Sequence, residues 1–175
     1  MKLRHFDHDG RARFITFCTN RQAPVLSNAP FRRIVADSIN EVRKALGFRL
    51  LAYVVMPDHV HLVLVPRIDT EVGHLVGEIK RVSARRLHAA LKEKVSTLSA
   101  RLTVMRDGRM RFSLWQRRCY DHNCRTQESI WEKVTYCHNN PVRRALVKDP
   151  AEWLWSSYRW YQGMSGSLLE IDCPA

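Results

Sequence analysis

The chain has 175 residues, 45% of them hydrophobic and 26% charged, which suits one domain with a substantial core and excludes a disordered or fibrous composition. It holds no run of about 18 apolar residues that would cross a membrane, and the basic opening MKLRHFDHDG has no apolar stretch behind it to make a secretory signal, so a cytoplasmic location is expected. Twenty-nine Lys and Arg against 17 Asp and Glu leave a net charge of +12, which favours a polyphosphate partner over an acidic membrane surface.

Residues 13–19, RFITFCT, combine β-branched and aromatic side chains and predict a first strand. A polar loop with two prolines precedes residues 29–46, where Ile34, Ile39, Val42 and Leu46 recur at helical spacing and Gly47 stands as a C-terminal stop. Residues 48–56 and 59–65 are two apolar runs separated by Pro57 and Asp58, the pattern of a hairpin inside a sheet. A long helix is predicted over 70–94, with Leu75, Ile79 and Val82 on one side and basic residues around the rest. Residues 95–110 show no period, although Asp107-Gly108 is a turn signal, and no role is assigned to them. A fourth strand or extended edge is expected over 111–123, then a helix over 127–140 that should stop where Asn140 precedes Pro141. A short basic turn and a tail rich in tryptophan, WLWSSYRWY, close the chain.

The order strand, helix, strand, strand, helix, strand, helix predicts an α+β fold. Its expected form is a ferredoxin-like split βαβ sheet with helices on one face and an extra C-terminal helix. One domain is expected over residues 1–175, with a core at about 10–147, a basic arm at 1–9 and the Trp-rich tail at 148–175. Five cysteines at unrelated spacings argue for a reducing compartment and against a disulfide framework.

Two segments carry chemistry. In MPDHVHLVLVP, His59 and His61 lie two apart on a predicted strand and so leave one face together, half of a metal site. In WEKVTYCHNNP, Tyr136 and Asn140 are four apart and share a helical face, so a phenol and a carboxamide project side by side. Taken together with LWQRRCYDHNCR, YCHNNPVRRALVKDP and WLWSSY, these segments resemble the single-tyrosine HUH transposases of the IS200-like type. The REP-associated tyrosine transposases of bacteria are the nearer resemblance.

That resemblance implies a metal-dependent single-stranded DNA endonuclease and strand transferase acting on hairpin-forming repeats through a covalent 5′-phosphotyrosine. It implies Tyr136 as the nucleophile, His59, His61 and Asn140 as ligands of Mg²⁺ or Mn²⁺, and a bacterial, nucleoid-associated protein. Asn140 stands where insertion-sequence relatives usually carry the longer Gln. Single-stranded or hairpin DNA would be gripped by Lys80, Arg81, Arg85 and Arg86 on one bank and by Arg117, Arg118 and Arg125 on another, near Trp115 and Tyr120. Trp153, Trp155 and Trp160 are expected to pack over the sheet in preference to stacking on bases. A monomer is favoured over a homodimer. The competing readings are a replication or conjugation nickase with the same chemistry and a nucleic-acid-binding protein of this fold that no longer cuts. A zinc site built from His122, Cys124 or His138 finds no support in ligand spacing.

Overall fold

The computed structural model of the protein describes residues 9–92 and 97–173. Residues 1–8 of the basic arm, and residues 93–96 at the predicted end of the long helix and the start of the span without a period, lie outside the described residues. In chain order come β1 (Ala12–Cys18), α1 (Ala29–Leu46), β2 (Arg49–Val55), β3 (His59–Val65) and α2 (Val72–Lys92). They are followed by α3 (Thr97–Arg101), β4 (Thr103–Arg106), β5 (Arg109–Phe112), β6 (Tyr120–Cys124), α4 (Gln127–Arg143) and α5 (Tyr158–Tyr161). Four strands form a sheet in the order β2-β3-β1-β6 with every neighbour antiparallel, and β4 with β5 forms a separate ribbon. This is the α+β combination of helices and antiparallel sheet that the sequence predicts.

Strand alternation sorts the core into two layers. Ile15, Phe17, Leu62 and Leu64 face α1 and α2, where they meet Val35, Ile39, Leu75 and Ile79. Phe14, Val54 and Val63 face the other way, onto Val134 and Cys137 of α4. A register shift between Leu50 and Ala52 breaks the alternation once, so that the consecutive Leu51 and Ala52 both join the α4 layer. Helix α1 ends at Gly47, whose φ of 66° and N–H bond to the Arg43 carbonyl make a left-handed cap. A Cβ at Gly47 would meet only the exposed, flexible Arg67 side chain, at 2.9 Å, so it is the positive φ that calls for glycine there.

Three expectations need correction. The predicted fourth strand over 111–123 divides: Arg109–Phe112 pairs with Thr103–Arg106 in the ribbon, and only Tyr120–Cys124 joins the sheet. The Asp107-Gly108 signal was the informative one, because both residues take positive φ, 50° and 71°, as a tight two-residue hairpin requires. Helix α4 does not stop at Asn140 but carries Pro141 inside it and runs to Arg143. The missing N–H costs one bond near the helix end, and the turn still closes through Arg144 N–H to the Asn140 carbonyl at 3.0 Å. Finally, β2 is an edge strand and not an interior one. The tail covers its outer side, with the Val55 N–H donating to the Trp155 carbonyl at 2.8 Å and the Ser157 N–H to that of Tyr53 at 3.0 Å.

The tail tryptophans pack, as expected. Trp153 donates its indole N–H to the Val55 carbonyl, Trp160 joins the core under α1 and α2, and the Arg32 guanidinium lies 5.0 Å and 4.8 Å from the rings of Trp153 and Trp155. None of the five cysteines is in a disulfide; Cys124 and Cys137 are buried and Cys173 is exposed. Among the described residues no helix is long and apolar enough to cross a membrane.

Candidate active site

The first residues of β3 place His59 and His61 on the α4 side of the sheet, both largely buried at 9% and 4% exposure. Their rings stand 4.6 Å apart, centroid to centroid. His59 Nδ1 donates to Asp58 Oδ1 at 2.6 Å, since an ionised carboxylate can only accept. His61 Nδ1 lies 2.7 Å from Thr16 Oγ1 on the paired strand β1, and its Nε2 is 3.1 Å from the Asn140 amide nitrogen. An amide nitrogen only donates, so Nε2 accepts and the proton sits on Nδ1, facing the threonine. Both rings therefore adopt the tautomer that leaves a lone pair on Nε2. Partners of this kind on Nδ1, a carboxylate and a hydroxyl, fix the ring orientation and tautomer in the way that metal-binding histidines are held. Burial, reinforced by the neighbouring His59, pushes His61 down to a pKa of about 3, which keeps it neutral.

Helix α4 delivers the other two residues. Its N-cap Thr126 accepts from the Ser129 N–H, fixing where the helix starts. Val134 and Cys137 anchor it on the sheet, and Tyr136 and Asn140, one turn apart, reach His61. The half-buried Tyr136 ring packs edge-on against His61, 5.3 Å between centroids, and against Phe14 at 5.6 Å. Asn140 is 5% exposed, and its Oδ1 is buried with no hydrogen-bond partner. A buried carbonyl oxygen without a partner is costly. As placed, the amide nitrogen occupies His61 Nε2, and rotation of the carboxamide would turn Oδ1 toward the imidazoles in its stead. Among the described residues no three His, Cys, Asp or Glu side chains converge on a metal position, so the amide is what would complete the set.

The structure adds residues that the sequence reading passed over. Asp58 uses its second oxygen to bind Arg144 at 3.0 Å, tying the β2-β3 turn to the end of α4. The Arg143 guanidinium lies 5.2 Å from the Tyr136 ring centroid, and Lys133 Nζ lies 5.8 Å from that of Phe14. Lys133, Tyr136, Asn140 and Arg144 follow the i, i+3, i+4 spacing of a helical face, a signal the sequence did contain. His138, between Tyr136 and Asn140, points elsewhere. It meets the Ser157 hydroxyl at 2.9 Å and the rings of Tyr158 and Tyr161, and burial holds it down to a pKa of about 4.

The basic residues proposed for DNA are placed unevenly. Arg85, Arg117, Arg118 and Arg125 are exposed. Arg81 is paired with Glu78, and Arg86 with Glu41 of α1. Lys80 reaches inward, donating to the carbonyls of Gln116 and Arg118 at 3.2 Å and 3.1 Å, so it fastens the segment before β6 to α2. Helix α2 packs on the face of the sheet opposite α4. The Lys80 contacts bring the segment that carries Arg117 and Arg118 against α2, whereas Tyr136 and the histidine rings lie on the α4 side of the sheet.

The chain belongs to the family described as "Transposase IS200 like", whose match covers residues 11–118, from β1 and the histidine-bearing β3 to the segment before β6. It is thus a tyrosine transposase, an enzyme type that cuts and rejoins DNA. Within that class it is similar to the REP-associated tyrosine transposase of Escherichia coli K12, 24% identical over 171 residues, which span 97% of this chain and 87% of the relative. It is also similar to a Haemophilus influenzae protein provisionally given the same name, 25% identical over 132 residues, 71% of this chain and 70% of the relative. In fold it matches the structure of a REP-associated tyrosine transposase bound to a REP hairpin, with a TM-score of 0.71 at 22% identity, covering all of this chain and 94% of the other. A crystal structure from Deinococcus radiodurans, provisionally described as a transposase, gives a TM-score of 0.52 at 21% identity over 79% of this chain and 97% of that one.

Proposed function

We propose that the chain is a metal-dependent single-stranded DNA endonuclease and strand transferase that acts on hairpin-forming repeats through a covalent 5′-phosphotyrosine. Tyr136 is the nucleophile and His59, His61 and Asn140 hold the cation. The observation that carries this reading is the contact between the Tyr136 and His61 rings, 5.3 Å between centroids, which joins a phenol to the paired imidazoles. Mg²⁺ or Mn²⁺ bound there would polarise the scissile phosphate and offset its charge. Imidazole and carbonyl donors accept either ion, and Mg²⁺ is favoured by abundance.

The protein's own part is positioning. The Tyr136 oxygen attacks phosphorus and gives up its proton, the bond from phosphorus to the 3′ oxygen breaks, and that oxygen leaves as a hydroxyl after taking up a proton. Because the phosphotyrosine keeps the energy of the broken ester, a second 3′ hydroxyl can displace Tyr136 and rejoin the strand without ATP. Arg143 and Arg144, beside the tyrosine and the Asp58 clamp, bring positive charge to the path of the DNA backbone, and the exposed Arg85, Arg117, Arg118 and Arg125 extend it. Arg81 and Arg86 would exchange their carboxylate partners for phosphate, and Lys80 would act from beneath the Gln116 to Arg118 segment. Tyr136, His59, His61 and Asn140 come from one chain, which favours a monomer acting alone, at the nucleoid. The same reading treats residues 1–175 as a single domain with its core at about 10–147.

The test is incubation of labelled single-stranded hairpin DNA with the protein and Mg²⁺ or Mn²⁺, scored on a denaturing gel for cleavage and protein attachment together. Tyr136→Phe should bind the DNA but form no adduct. Persistence of the adduct in that variant would remove Tyr136 from the role.

A further inference from the structure

The β4-β5 ribbon is outside the site just described, and its two faces differ sharply. Register pairs Val104 with Arg111 and Arg106 with Arg109 on one face, and Thr103 with Phe112 and Met105 with Met110 on the other. Arg106, Arg109 and Arg111 are all exposed, and none forms an ion pair among the described residues. The base of the ribbon is held firmly. Phe112 stacks on His88 of α2 with centroids 4.3 Å apart and planes 6° apart, Leu102 is buried, and the Ser113 N–H donates to the Leu102 carbonyl. At the tip Met105 and Met110 are 66% and 63% exposed.

Its location follows from helix length. Ser83 on α2 accepts from the Trp115 indole N–H at 2.9 Å, and Trp115 bridges to Thr19. Thr19 follows Cys18, the residue paired with His59. Ser83 is therefore level with the His59 end of the sheet. The remaining turns of α2 continue past that end at about 1.5 Å per residue, which puts His88, and the ribbon stacked on it, roughly 7 Å further out. The ribbon therefore stands beyond the His59 end of the sheet, on the side of α2.

We propose that this ribbon is a nucleic-acid arm that lays its arginine face against a duplex stem, while the adjoining single strand reaches Tyr136. A two-stranded ribbon matches the width of a DNA major groove. Three guanidiniums in a row without carboxylate partners complement a phosphate backbone, and phosphate contacts of this type set register without reading sequence. The proposal deepens the hairpin-DNA reading above and rests on it.

The test uses full-length protein in EDTA, so that binding is measured without cleavage, with two probes of equal length. One is a DNA hairpin with a 5′ single-stranded tail, and the other is an unstructured oligonucleotide. For Arg106→Gln/Arg109→Gln/Arg111→Gln, hairpin affinity should drop about tenfold or more, and the slope of log K against log salt should shrink by about 2 to 3, near 0.9 for each lost phosphate contact. Affinity for the unstructured probe should be unchanged. Met105→Gln/Met110→Gln, on the opposite face, should bind the hairpin like the unaltered protein. Wild-type hairpin affinity and slope in the arginine variant would overturn the proposal, as would an equal loss in the methionine variant. Failure of the catalytic reading would instead appear as an adduct formed by Tyr136→Phe, a result that leaves these binding curves untouched.

Discussion

Replacing Asp58 with Asn tests whether the carboxylate that grips His59 sets the affinity of the proposed cation site. The substitution keeps the size of the side chain but removes its charge. It also offers an amide nitrogen to His59 Nδ1, where the ring now donates across 2.6 Å to an oxygen. With His59 only 11% exposed at the side chain and Asp58 16%, this is a shielded, charge-assisted bond, about twice as strong as a neutral one. The second oxygen binds Arg144, which is 56% exposed, so that contact contributes under about 1 kcal/mol. The loss should therefore fall on metal binding, where removal of an outer partner of a ligating histidine costs roughly 10- to 100-fold, or about 1.4 to 2.7 kcal/mol. Cleavage of a labelled hairpin substrate, followed against Mn²⁺ concentration, should show the half-saturating concentration raised by that factor, with the rate at saturation largely restored. Calorimetric titration of Mn²⁺ should give the same ratio. An unchanged metal dependence, or a lost rate that no concentration of Mn²⁺ recovers, would refute the assignment of Asp58 as the group orienting His59.

Two further outcomes concern stability. His138, 7% exposed, has its pKa lowered by burial to about 4 from an ordinary 6.5, so below pH 6.5 the unfolded chain takes up a proton that the folded chain refuses. Stability from this group is complete above pH 6.5 and is lost as the pH falls toward 4, at about 1.4 kcal/mol per unit. In urea unfolding, His138→Gln should narrow the difference between pH 7 and pH 5 by about 2 kcal/mol, and an equal difference in both proteins would contradict this. Separately, Arg13 and Asp121 form a two-point ion pair, 3.0 Å and 2.6 Å, with side chains 4% and 5% exposed. Asp121→Ala should cost about 3 to 5 kcal/mol, because it takes both of these charge-assisted bonds from a largely buried guanidinium. A loss below about 1 kcal/mol in chemical denaturation would show that water reaches the pair.

Local pattern made much of the fold readable. Helix α1 and strand β3 fall on the predicted bounds, 29–46 and 59–65, because a helical stripe ended by Gly47 and an apolar run ended by proline are signals that neighbouring residues carry by themselves. The β4-β5 ribbon was missed because its strands are four residues each and largely exposed, so burial imposes no alternation on them. Helix α4 runs past Asn140 because contacts to the sheet outweigh a preference that applies to the isolated dipeptide.

The sequence by itself determined which residues could do chemistry and how each pair lies within its own element: His59 beside His61 on a strand, Tyr136 one turn from Asn140 on a helix. Tertiary structure decided that these pairs meet, that Asp58 and Thr16 hold the imidazole tautomers, and that α2 carries its basic residues to the opposite face of the sheet from α4. Spacing along a chain fixes direction only over a turn or a pleat. Seventy-five residues separate His61 from Tyr136, and their approach follows from burying Val63 and Phe14 of the sheet against Val134 and Cys137 of α4, a free-energy gain that depends on the folded surface as a whole.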